Sequence, residues 1–181
     1  HYRTLLAGRS EPDVHYRLGT TLQAVKDYPA ALVELSAALA ALPAEDQAVP
    51  KVLRSRAECM ALSGDTAGAR NTFQRALELV PRDPIILNSR AWFLHAAYGD
   101  HKRAIADYDE AIKHNPNYSY AFNNRGWSKF KSGDRVGALK DIGLARKKKP
   151  FNPYIYRNLG LIALERGDTS EACMQFRRAL E

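Results

Sequence analysis

The chain holds only two cysteines among 181 residues, no long apolar run, and no residues at the spacings that metal or nucleophilic chemistry requires. Each absence excludes a class. Cys59 and Cys173 lie three repeat lengths apart, too distant in an elongated array for a disulfide, and their apolar helical surroundings predict two small core residues. No stretch approaches the roughly 20 apolar residues of a membrane-spanning helix. A secretory signal is absent as well, but that absence carries little weight, because the chain opens at His1 in what reads as mid-structure and any targeting segment would lie ahead of it. His1, His15, His95, His101 and His114 form no HExxH or paired-ligand spacing, and no cysteine pair joins them. The glycines serve turns and helix crossings, so there is no phosphate-cradling loop, and no Ser–His–Asp set can be argued. The expectation is a protein that is not an enzyme, takes no cofactor and no small-molecule substrate.

What is present is a period. Hydrophobic residues make up 45% and charged residues 26%, the balance of a folded chain. Ala31, Ala69, Ala104, Ala138 and Ala172 follow one another at 38, 35, 34 and 34 residues. Four residues after each stands a large apolar residue: Leu35, Phe73, Tyr108, Ile142 and Phe176. Three further on comes another alanine: Ala38, Ala76, Ala111, Ala145 and Ala179. The i, i+4, i+7 spacing places each trio on one helical face. Pro43, Pro81, Pro116 and Pro150 close four of these helices, because proline cannot donate into the helical ladder.

A second helix is predicted ahead of each, marked by a small residue twelve or thirteen positions earlier: Gly19, Ala57, Ala91, Gly126 and Gly160. Small residues at a crossing allow two helices the close end of the 8–10 Å packing range. Between the helices stand Gly64-Asp65, Gly99-Asp100, Gly133-Asp134 and Gly167-Asp168, with Lys26-Asp27 in the first unit. Glycine suits the left-handed residue past a helix end, and aspartate caps the next helix. The expected units are 12–45, 50–83, 84–118, 119–152 and 153–181. Residues 1–11 are expected to be the tail of a preceding helix or an N-terminal cap, and both ends to be cut from a longer array.

A helix–turn–helix unit of 34 residues with these small residues and a terminal proline resembles the tetratricopeptide repeat, over residues 12–181. Tyr156, Leu159 and Gly160 match the family's first-helix pattern, as do Leu18, Gly19 and Leu22. Arg56, Arg90 and Arg125 depart from it, standing where leucine is usual, and Lys129 and Ala163 replace a large residue. The resemblance implies an all-α, right-handed superhelical solenoid whose first helices line a concave groove for a peptide or protein partner. Carried over position by position, the groove is lined by Tyr16, Arg17 and Thr20, then Arg54, Ser55 and Glu58, then Asn88, Ser89 and Trp92. Tyr120, Asn123, Asn124, Trp127 and Phe130 follow, and Tyr154, Arg157 and Asn158 complete it. Arg54, Asn88, Trp92, Tyr120, Asn123, Asn124, Trp127, Arg157 and Asn158 form the partner-binding set.

Within that set Asn88 and Asn123 are equivalent, as are Asn124 and Asn158, and asparagine offers donor and acceptor together for an extended backbone. The alternative is a row of asparagines meeting only water. Trp92 and Trp127 are equivalent too, either anchors for a partner or wedges between neighbouring helices. Arg56, Arg90 and Arg125 are read as structural ion pairs. Pairing within the unit fits Arg90–Asp107 and Arg125–Asp141, while pairing with the preceding unit fits Arg56–Glu34 and Arg125–Asp107, which leaves a tie. Arg146-Lys147-Lys148-Lys149 closes a second helix, where cations meet the negative end of its dipole. The net charge of +7 favours an acidic partner. A chaperone-tail clamp is disfavoured, because Tyr154 and Asn158 stand where lysine and arginine should. Nucleic acid ranks last, since Asp13, Glu58 and Glu165 interrupt the groove, and self-assembly through uncapped repeat ends is the alternative function.

Overall fold

The structure, a computed structural model, describes residues 11–181. The expectation for residues 1–11 therefore lies outside the described residues, save for Glu11. Ten helices make up the described chain: α1 Glu11–Ala24, α2 Tyr28–Ala41, α3 Val49–Leu62, α4 Thr66–Leu79, α5 Pro84–Tyr98, α6 His101–His114, α7 Ser119–Lys131, α8 Arg135–Lys148, α9 Pro153–Glu165 and α10 Thr169–Leu180. No strand occurs among the described residues. The chain divides into two compact units, one ending at Ser89 and the other starting at Arg90, so the division falls within α5.

The turns inside each helix pair are built alike. Gly64, Gly99, Gly133 and Gly167 sit at φ of 92°, 60°, 95° and 79°, and Lys26 takes the same left-handed position at 65°. The aspartate that follows accepts a hydrogen bond from the backbone N–H three residues on, as Asp65 does from Gly68 at 2.8 Å and Asp134 from Gly137 at 2.8 Å. Asp27, Asp100 and Asp168 cap α2, α6 and α10 in the same way. An orphan donor at each helix start is thereby satisfied.

In the first unit α1 packs on α2, α2 on α3, and α3 on α4. Ala31, Leu35, Ala38, Val52 and Cys59 form one fully buried core cluster, and Phe73 is equally buried on α4. Burial, with the Glu58 charge beside it, pushes the Cys59 thiol up to about 11, so it remains a neutral core group. Cys173 does not fit the core expectation. It is exposed on α10, because it follows Ala172 and so turns away from the face that Ala172 and Phe176 present to α9.

In the second unit α6 packs on α7, α7 on α8, and α9 on α8 and α10. Phe122, Phe130, Ala138, Ile142, Ala145, Ile155 and Ile162 make its core, with Trp127 and Leu159 half-buried against it. The crossing glycines have no room for a side chain. A Cβ on Gly126 would lie 2.8 Å from Cγ1 of Ile142, and one on Gly160 would lie 2.5 Å from the Phe176 ring.

Candidate functional site

Three helices of the second unit present residues at i, i+3 and i+4 to one recess of about 420 Å³. From α5 come Trp92, His95 and Ala96, from α7 Asn124, Trp127 and Ser128, and from α9 Tyr154, Arg157 and Asn158. Asn123 and the Tyr108 side chain from α6 complete the lining. The spacing is that of one helical face repeated three times. Among the described residues no carboxylate lines the recess, and Arg157 is its one permanent cation.

The polar floor is internally bonded. Asn158 donates through Nδ2 to Oδ1 of Asn123 at 3.2 Å, tying α9 to α7. Asn123 in turn donates to Oδ1 of Asn124 at 3.4 Å. Asn123 and Asn158 are 1% and 4% exposed, so they hold each other, and Asn124 is the one of the three with open surface. Arg157 is exposed, with only a long 3.5 Å contact to Asn158, and pairs with no carboxylate among the described residues.

The walls are aromatic. Trp92 is 39% and Tyr154 57% exposed, both high for such large rings. Trp127 stacks on Phe130 at 5.7 Å between centroids, and the Lys131 ammonium lies 5.2 Å from its ring. Lys131 also pairs with Glu165 at 2.7 Å, which fixes one rim of α7 against α9. Tyr120 lies beside Tyr154, with ring centroids 6.4 Å apart, and takes a hydrogen bond from Lys149 at 3.2 Å.

At the base, Nδ1 of His95 lies 3.0 Å from Oγ of Ser128 and 3.1 Å from Nδ1 of His101. Only one of two facing imidazole nitrogens can carry the proton between them. Burial first, then the positive potential of His101 and Lys131, hold the His95 pKa down to about 4 from 6.5. Burial, with Asp107 adding to it, pushes the Tyr108 phenol up, and a hydrogen bond with Ser128 opposes this. His95 is therefore neutral at pH 7. The unfolded chain takes up its proton near 6.5 and the folded one only near 4, so stability present above 6.5 is lost as pH falls through that window. Lowering pH from 7 to 4.5 should cost the second unit on the order of 2 kcal/mol through this group. The urea midpoint, compared between the chain and a His95→Gln variant at both pH values, checks it: the variant should lose less on acidification.

Six of the nine residues singled out in the sequence, Trp92, Asn123, Asn124, Trp127, Arg157 and Asn158, line this recess, and Tyr120 lies next to it through Tyr154. Arg54 and Asn88 belong to the first unit. There Arg54 is bonded to Glu58 at 2.6 Å, and Glu58 also accepts from Gln23 and Ser89, while Asn88 is buried. Of the other groove positions, Ser55 and Phe130 are buried. Sequence reasoning missed His95, Ser128 and Tyr108 as parts of the site. The available signal was the i+3 step from Trp92 to His95 on one helical face.

Two of the three arginine positions resolve as pairs within the unit, and Arg56, expected to pair as well, has no ion pair among the described residues. Arg90 donates Nε and Nη2 to Asp107, and Arg125 donates the same pair of groups to Asp141, all at 2.7 Å. Arg125 adds Asp109 of the preceding second helix at 2.7 Å. Glu34 is taken by His15 at 2.6 Å, not by Arg56. Among the described residues no group of three or more His, Cys, Asp or Glu side chains is placed to hold a metal ion, and no helix is long and apolar enough to cross a membrane.

Capped helix pairs of one design, with small residues at every crossing, define an all-α tandem helical repeat protein. Residues 16–84, 62–121 and 123–181 each match the tetratricopeptide repeat, and the chain belongs to that family. Among solved structures it is similar to TTC0263, a thermophilic TPR protein of Thermus thermophilus, at 24% identity and a TM-score of 0.84, over 93% of this chain and 90% of that one. PilW, a type IV pilus biogenesis factor, is 21% identical with a TM-score of 0.78, over 95% of this chain and 77% of PilW. The pilF protein of Pseudomonas aeruginosa is 17% identical with a TM-score of 0.75, over 94% of this chain and 75% of pilF. At these identities the likeness is one of fold. No protein with a curated description matches the chain in sequence. Tetratricopeptide repeat proteins bind other proteins and are in general non-catalytic scaffolds.

Proposed function

We propose that the chain is a non-enzymatic interaction scaffold that holds an extended peptide segment of a protein partner in the recess of its second unit. The observation that carries this reading is the exposure of Trp92 and Tyr154 around a recess whose buried amides are already satisfied by each other. Large aromatic rings left open beside a rigid polar floor are typical anchors for a partner. Asn124 offers the amide for the partner's backbone. Arg157, unopposed by any carboxylate in the lining, favours a segment with an acidic residue.

The charge distribution supports the same choice. Residues 90–181 hold 17 Lys and Arg against 10 Asp and Glu, whereas residues 1–89 hold 10 of each, so the whole net charge of +7 belongs to the second unit. A peptide selected for binding from a random library provides the test. Trp92→Ala should weaken its binding at least about 30-fold, the scale of an interface anchor. Selected peptides that bind Trp92→Ala and Arg157→Gln as tightly as the unaltered chain would refute the recess as the binding site.

A further inference from the structure

The first unit contains an arginine whose expected acids are missing. Arg56, Arg90 and Arg125 occupy one position of the repeat. Around Arg125 that position is satisfied twice, by Asp141 from its own second helix and by Asp109 from the preceding one. Around Arg56 the same two places hold Thr72 and Ser36. Both hydroxyls are turned to other acceptors: Thr72 Oγ1 donates to Sδ of Met60 at 3.5 Å, and Ser36 Oγ donates to the Leu32 carbonyl at 2.7 Å.

Arg56 is left with its Nε buried and without a hydrogen-bond partner, and it forms no ion pair among the described residues. A buried donor without a partner is costly, and more so on a charged group, so such a group is rarely left unsatisfied. It lines a cavity of about 340 Å³, open to solvent, between α2, α3 and α4. A second guanidinium, Arg75, lines the same cavity and likewise pairs with no carboxylate among the described residues. The remaining lining is Ser36 with apolar groups such as Leu39, Leu42 and Val49, and it includes no acid among the described residues. Because residues 1–89 are balanced in charge, this concentration is local to the cavity.

We infer that this cavity is a binding site for the carboxylate of an acidic side chain on a protein partner, gripped by Arg56 and Arg75. The molecule itself supplies the template, since the arginines at the equivalent positions each hold a carboxylate through two parallel hydrogen bonds. The place filled from within in the other two units is left for the partner here. The site shares no residue with the aromatic recess of the second unit and stands independently of it.

The experiment follows the side-chain Nε–Hε resonances of Arg56 and Arg75 by NMR in the whole chain. The probes are an acetylated tetraglutamate peptide, its tetraglutamine counterpart and inorganic phosphate. Tetraglutamate should shift both resonances saturably, and tetraglutamine should not. In Thr72→Asp, which restores the acid found at Asp107 and Asp141, the affinity read at these resonances should fall at least 10-fold. Arg56→Gln should remove the response of Arg75 as a second check, whereas Lys26→Gln, the same charge change at the far end of α2, should leave it intact. Unmoved Arg56 and Arg75 signals, an equal response to tetraglutamine, undiminished binding in Thr72→Asp or Arg56→Gln, or a response to phosphate alone would each overturn the assignment.

Discussion

Asp141→Ala should lower the unfolding free energy of the second unit by about 3–5 kcal/mol, the cost of removing one member of a buried ion pair. Asp141 has a side chain only 3% exposed and sits among three cationic contacts: two hydrogen bonds from Arg125 and one ion pair from Lys129 at 2.9 Å. Truncation leaves the Arg125 guanidinium, itself 15% exposed, with Asp109 as its remaining described acid, and leaves Lys129 facing it. Like charges then meet in a place that water barely reaches. Asp109→Ala is the internal comparison. Its side chain is 55% exposed, so that loss should stay below about 1 kcal/mol. Urea unfolding followed by tryptophan fluorescence reads the correct unit, because Trp92 and Trp127 are the two tryptophans of the chain and both fall after Arg90.

Gly126→Leu is expected to cost about 3 kcal/mol by the same measurement, at the upper end of overpacking. The first added atom would lie 2.8 Å from Ile142 Cγ1, 3.0 Å from the Ala138 carbonyl oxygen and 3.3 Å from Asp141 Cβ. The isoleucine can rotate, but the carbonyl is part of α8 and moves only if the helix does. Opening the crossing would also pull Asp141 away from Arg125, so the loss extends past the local clash. Gly143, on the same α8 with open space around it, provides the contrast. Gly143→Ala should stabilise by up to about 1 kcal/mol through helix propensity alone.

The repeat was legible because packing forces it. A helix crossing tolerates only small residues, and a turn of two helices needs a left-handed residue and a cap, so these features recur with the period of the structure. Pairing of the arginines was not legible by counting matches, and the structure shows why. Arg125 reaches Asp141 on its own second helix and Asp109 on the preceding one, an acid that neither assignment named, while Asp107 is held by Arg90 and Glu34 by His15.

The asparagine row shows a second limit. Asn124 and Asn158 share a repeat position, yet Asn158 is buried against Asn123 while Asn124 keeps open surface. Side-chain bonding across α7 and α9 decides which face each amide turns to solvent, and equivalence in sequence carries no such information. Metal-ligand spacing carries no signal for His95. Its role in the recess comes from neighbours on two other helices, Ser128 and His101, that no local pattern relates to it.

Hydrogen–deuterium exchange of the chain with and without a selected peptide tests the binding face most directly. Added protection is expected in the segments that carry Trp92 to Ala96, Asn123 to Ser128 and Tyr154 to Asn158, all within the second unit. Protection confined to other surfaces, with these three segments exchanging as they do in the free chain, would contradict it.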